Sequence, residues 1–200
     1  EKIKNFFINN KKILIISLVL IILIVFSFFG FGEIQQNKKN KIAEKYNSTV
    51  IEFISTDNKN IKNELIEIIN EKDDTYSPLA LYFIIDNEID STNEEINRYF
   101  DIIIEETKLD KEIKYLIIYK KGLFNADYAS ENELIQILNP LINSNSVWKS
   151  HGLYLMAEYF LSMNQNQKAK EFYNQILSYK KSNQNIKLEA QKRLSQNFSE

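Results

Sequence analysis

Between Lys12 and Glu33 the chain reads ILIISLVLIILIVFSFFGFG, and residues 13–31 carry no charge. These nineteen residues, at about 1.5 Å of helical rise each, reach roughly 28 Å, close to the roughly 30 Å core of a bilayer. Sixteen of them are Ile, Leu, Val or Phe. At about 0.3 to 0.6 kcal/mol each, those side chains favour insertion by roughly 5 to 10 kcal/mol. The alternative is a cleaved signal peptide, for which Gly30-Phe31-Gly32 offers a weak small-x-small site. Signal cores run to about 7–15 residues, shorter than this run, so the expectation is an uncleaved anchor over residues 13–32.

Orientation rests on proximity rather than on count. Lys2, Lys4, Lys11 and Lys12 precede the run and Lys38, Lys39, Lys41 and Lys45 follow it, so the lysines balance. Lys11 and Lys12 abut the apolar segment, whereas Glu33 is the first charge after it. The positive-inside tendency therefore places residues 1–12 in the cytoplasm and residues 33–200 across the membrane.

Composition excludes several classes. With a formal net charge of -2 and only Arg98 and Arg193 as arginines, the chain lacks the bidentate forks that favour phosphate and base recognition, and nucleic acid is not an expected partner. It contains no cysteine, which removes disulfides, thiolate nucleophiles and cysteine-based zinc sites. No Gly-rich phosphate loop is present, so no cofactor is expected.

Beyond Gly32 apolar residues recur at three and four spacings, the signature of helices, giving an all-α expectation of antiparallel hairpins. Ile42, Tyr46, Val50, Phe53 and Ile54 form the stripe of a first helix. After the break STDNKN, Ile61, Leu65, Ile68 and Ile69 form the stripe of a second that pairs with it. A third helix opens at TYSPLALYF, with Ser77 as cap and Pro78 in the first helical position. A fourth opens at Thr92 with Glu95 completing a capping box, a fifth at Asp110, and a sixth at Ser130 with Glu133. The last two of a unit lie in HGLYLMAEYFLSMNQNQKAKEFYNQIL, where Leu153, Met156, Ala157 and Phe160 share one face and Ala169, Tyr173 and Ile176 face back. IKLEAQKRLSQNF supplies a further helix, expected to cap the array.

These spacings approximate the tetratricopeptide pattern, in which a small residue on each first helix is followed twelve positions later by a small residue on the second. Ala157 and Ala169 hold those places; the same twelve-residue separation links Gly122 to Leu134 one unit earlier, and Leu138 and Leu141 then match Tyr173 and Ile176. Gly122 thereby has a packing reason, since a helical glycine costs about 1 kcal/mol against alanine.

His151, the only histidine, has no second histidine or cysteine with which to hold a metal, and reads as a half-exposed helix residue. The acids of EKDD and NEEIN read as turn charge and helix-start carboxylates rather than a general acid pair. No catalytic, cofactor-binding or metal residue is expected. Tyr119, Tyr154, His151 and Glu158 fall on one side of the first helices. Two readings stand for them: core packing, or a groove for an extended peptide or partner helix.

The order and spacing of YSPLALYF and LNPLINSNSVWKSHGLYLMAEYFLSMNQNQKAKEFYNQIL, behind a lysine-bearing amino end and one span, resemble the ancillary SecYEG translocon subunits of bacteria, the YfgM type. Lys121 departs from that pattern where an apolar residue is usual, as does Gln-Asn in place of a Gly-Asp turn. The resemblance implies a single-pass inner-membrane protein with a periplasmic tetratricopeptide-like domain and no enzymatic activity. It further implies an accessory role at the Sec translocon, beside a membrane-anchored periplasmic folding factor. A cell-envelope or division scaffold of the same architecture is the alternative within the class, and an envelope hydrolase the alternative outside it.

Overall fold

The computed structural model describes residues 10–56 and 61–198, and among these the structure is all-α. Lys2 and Lys4 of the expected amino tail, and residues 57–60 of the STDNKN break, lie outside the described residues.

The apolar run does not form a helix of its own. Helix α1 (Lys11–Thr56) continues without a break through Gly30 and Gly32 into the repeat region. Its two halves differ in partners. The ten large apolar residues between Ile15 and Val25 are all exposed, whereas from Lys38 onward the helix docks. Among the described residues no helix is long and apolar enough to cross a membrane; the side chains of residues 13, 14 and 26–31 lie outside them.

Docking of α1 combines charge and ring contacts. Lys38 pairs with Glu71 at 3.0 Å and Lys39 with Asp74 at 2.8 Å, and Lys45 pairs with Glu67. Tyr46 meets Tyr76 at 5.8 Å, and Phe53 meets Phe83 edge-on at 5.2 Å. Ile54, expected in this stripe, is 74% exposed, while Thr49 is 2% exposed and bonds Glu64 at 3.0 Å. The inward line runs 42, 46, 49, 53, which keeps the 3.6-residue period; position 54 lies about 100° off it.

Helix α2 (Lys62–Asn70) returns along α1 and buries Leu65, Ile68 and Ile69. Helix α3 (Tyr76–Asp86) begins differently from expectation. Thr75 is the N-cap residue and makes no side-chain cap bond. Asp73 instead accepts the N–H groups of Thr75 and Tyr76 at 2.9 and 2.8 Å. Ser77 lies within the first turn, buried, its hydroxyl donating to the Ile68 carbonyl at 2.9 Å. Pro78 therefore occupies the third helical position, where an N–H is still unneeded.

Helix α4 (Asn93–Asp101) carries the Thr92–Glu95 capping box and runs into a π-helical turn over Ile102–Glu106. Asp110 caps α5 (Lys111–Asn125), and Ser130 with Glu133 boxes α6 (Glu131–Ile142). Helices α7 (Lys149–Ser162) and α8 (Asn166–Ser178) form the next hairpin, and α9 (Gln184–Asn197) packs on both.

A period of 35 residues is visible in what is buried. Ile117 and Gly152, Ile118 and Leu153, and Gly122 and Ala157 are equivalent and buried, as are Leu134 and Ala169, Leu138 and Tyr173, and Leu141 and Ile176. Each buried aliphatic or aromatic side chain in this set contributes about 1.5–3 kcal/mol. At Gly122 a Cβ would stand 2.5 Å from Leu138 Cδ2, so an alanine at the α5–α6 crossing would push the buried Leu138 side chain aside.

Polar contacts recur at intervals of 33–35 residues and tie the hairpin loops into a row. Lys72 pairs with Glu106 at 2.6 Å. Glu112 accepts from Ser146 Oγ at 2.6 Å and from the Val147 N–H at 3.2 Å. Tyr179 donates to the Ser146 carbonyl at 3.1 Å, and the Asn183 N–H donates to Ser150 Oγ at 3.2 Å.

Candidate functional site

Helices α3, α5, α7 and α9 are the first helices of successive units, and the seams between them are filled in different ways. Between α5 and α7 the rings of Tyr119 and Trp148 stack at 6.1 Å, and His151 packs against both, at 5.6 and 5.0 Å. Burial holds the His151 imidazole below its ordinary value, so it is neutral at neutral pH. Its Nδ1 is buried with no hydrogen-bond partner among the described residues.

Between α7 and α9 the filling is polar. Glu158 accepts from the Tyr173 hydroxyl and, at 2.9 Å, from Arg193 Nη2, while Arg193 Nε reaches the Tyr154 oxygen at 3.5 Å. Burial, then the bond to Glu158, raises the Tyr173 phenol; burial raises Tyr154. This group ties three helices together, since Tyr173 comes from α8, Arg193 from α9 and the other two from α7.

Between α3 and α5 the seam is open. Pro78, Leu79 and Tyr82 of α3 face Ile113, Leu116 and Ile117 of α5 across a cleft of about 380 Å³. Leu79 and Ile113 remain 40% and 42% exposed. The Tyr82 hydroxyl is shielded and finds no hydrogen-bond partner among the described residues. Burial, with Asp86 adding to it, pushes this phenol up to about 12. The Lys120 ammonium lies 5.2 Å from the centre of the Tyr82 ring. An aliphatic or aromatic side chain entering here would bury against six apolar residues.

The opposite, second-helix side holds a wider groove of about 970 Å³ between α4 with its π-turn and α6, floored by α5. Its floor is polar. Lys121, whose side chain is 13% exposed, meets Asp101 at 2.6 Å. Asn97 and Asn125 exchange amide bonds of 3.0 and 2.8 Å, and Asn125 also donates to the Lys121 carbonyl at 2.7 Å. Burial pushes the Tyr128 phenol on its rim up to about 12.

The four residues singled out in the sequence thus form two neighbouring clusters. Tyr119 joins His151, and Tyr154 joins Glu158; all four are half-buried on first helices. The α3–α5 cleft was missed, although YSPLALYF carries the signal: Leu79 and Tyr82 lie three apart on a face that the core residues Ala80, Leu81 and Ile84 leave free. Trp148 and Arg193 were missed as partners of that row. Among the described residues no three His, Asp or Glu side chains converge as metal ligands. Compared with protein-family models, curated proteins and solved structures, the chain matches none.

Proposed function

We propose that this chain is a single-pass, membrane-anchored helical-repeat interaction protein of tetratricopeptide-like design. In this reading it serves the Sec translocon of a bacterial inner membrane, and its periplasmic repeats hold an apolar segment of a membrane-anchored folding factor. The observation that carries the reading is the coupling of ten exposed large apolar residues between Ile15 and Val25 to a repeat array on one unbroken helix. Surface apolar residues in such a run, with no packing partner in the repeats, have a lipid environment as their natural solvent. A bilayer tether then confines the repeats to the plane in which membrane partners move and raises effective concentration without new contacts. Weak contacts suffice, and the α3–α5 cleft with the Tyr119–His151 and Tyr154–Glu158 clusters beyond it supplies them. The reading assigns no catalysis.

Mild-detergent purification of the full chain from membranes tests it. The expected result is recovery of the translocon and a folding factor from the wild type, with the folding factor lost from Leu79→Asp/Ile113→Asp while helicity is kept. Recovery of division or outer-membrane machinery in their place overturns the translocon assignment. Topology is checked with Ser199→Cys, which introduces the chain's only thiol at a position outside the described residues. An impermeant thiol reagent should label it once the periplasm is open; protection until the inner membrane is broken overturns the orientation.

A further inference from the structure

The row of hairpin loops lies at one end of the array, and that end faces the apolar run of α1. Lys38 and Lys39 fix the α2–α3 loop through Glu71 and Asp74, only seven or eight residues after Phe31, or about 10–12 Å along the helix. From there the row passes to the start of α5, where Leu109 and Asp110 share a cleft with Asp74 and Thr75. It continues to residues 146–147 through Glu112, and to residues 179–183 through Tyr179 and Asn183.

Charge changes sign along this row. The near loops are acidic, and Glu71, Asp74 and Glu106 are each neutralised by a lysine. At the far end, residues 134–157 and 172–188 contain no Asp or Glu. Val147 there is 56% exposed, Lys180 and Lys181 are exposed, and Lys149 lies 5.1 Å over the Tyr179 ring. The acid nearest the patch, Glu112, already accepts from Ser146 and Val147. Trp, Tyr and Lys grouped with an exposed apolar residue are the side chains that settle at the headgroup layer, and clustered lysines select anionic lipid.

We propose that this far end, built from Val147, Trp148, Lys149, Tyr179, Lys180 and Lys181, docks on the anionic headgroups of the bilayer that holds α1. The array then touches the membrane at two points, the α1 anchor and the loops at its far end. This inference rests on the anchor reading above. Trp148 is the chain's only tryptophan, so it reports the contact without ambiguity.

The test uses the full chain reconstituted in phosphatidylethanolamine–phosphatidylglycerol vesicles whose acyl chains carry bromine, with phosphatidylcholine vesicles as the comparison. Trp148 should be quenched in the anionic vesicles and much less in the zwitterionic ones. Lys180→Gln/Lys181→Gln should lower the docked-to-undocked ratio about 30-fold, from about 1 kcal/mol per lysine near the surface, with helicity unchanged by circular dichroism. A chain that floats with the vesicles yet leaves Trp148 unquenched overturns the docking and leaves the anchor standing. Equal quenching in the double variant also overturns it, and a chain that fails to float overturns both readings.

Discussion

The inner faces of α5 and α7 occupy the same place in successive units, yet one is polar and the other apolar. On α7, Met156 and Phe160 are fully buried, and Phe160 stacks on Phe172 at 5.4 Å. Thirty-five residues earlier the same positions hold Lys121 and Asn125, satisfied by Asp101 and Asn97. The Asp101 position, moved on by the same interval, is Gln136. What repeats strictly is the set that touches across each hairpin, from Gly122 and Ala157 to Leu141 and Ile176. The neighbouring inward positions of the first helix are free to change character, provided every buried polar group keeps a partner. One version leaves an open groove and the other closes it.

The harshest way to break the comparison is to move the lysine without its acid. Met156→Lys should cost about 3–5 kcal/mol in urea unfolding, the size of an uncompensated buried charge. Adding Gln136→Asp should recover a measurable part of that loss. Failure of the second substitution to help would mean that the two seams are not equivalent in geometry.

Truncation comes next in size. Phe160→Ala should cost about 3–5 kcal/mol through lost burial and a cavity. Asn125→Ala should cost about 1–3, from stranding Asn97 and the Lys121 carbonyl. Equal losses would show that the polar seam is packed as tightly as the apolar one. Smaller still is Lys121→Met, expected within about 1 kcal/mol of wild type, because an apolar isostere often replaces a paired ion without loss. Asp101, 57% exposed, keeps its hydration. A loss larger than that would give the pair a positional role.

The smallest effect separates the ring cluster from both seams. His151→Ala should change stability by about 1 kcal/mol or less, the worth of one aromatic pairing. Its pH behaviour has a definite sign. Burial lowers the folded-state value below 6.5, so the unfolded chain takes up the proton first. The neutral ring's contribution is complete above 6.5 and is lost as pH falls through the lower, folded value. Trp148 emission, 5.0 Å from the imidazole, should report a titration with a midpoint below 6.5 that disappears in His151→Ala. A midpoint at or above that value would exclude burial as the cause.

Much of the fold is legible along the chain because helix ends and hairpin crossings are local. The capping boxes at Thr92 and Ser130, and the small residues at Gly122, Ala157 and Ala169, need only a few neighbours in sequence to be read. Ser77 misled because the turn before it, with Lys72 at φ 55°, lets Asp73 reach the helix first. The site was less legible for a different reason. Whether a seam between two first helices is open depends on side chains about 35 residues apart that meet only in space. Tyr119 finds Trp148 and Tyr154 finds Arg193, whereas Leu79 and Ile113 leave a cleft. Lys121, out of pattern in the sequence, was the one local sign that a seam had changed character.

An unbroken α1 has no swivel. Between Phe31 and Lys38 every residue advances the helix by about 1.5 Å and turns it by about 100°. The compass bearing of the repeats relative to whatever grips the lower half is therefore counted out in residues. Insertion of one residue in that stretch would swing the whole array about a quarter turn or slightly more while barely lifting it. Which side of the repeats looks at a neighbour is then a matter of arithmetic in the six residues 32–37, all of them exposed.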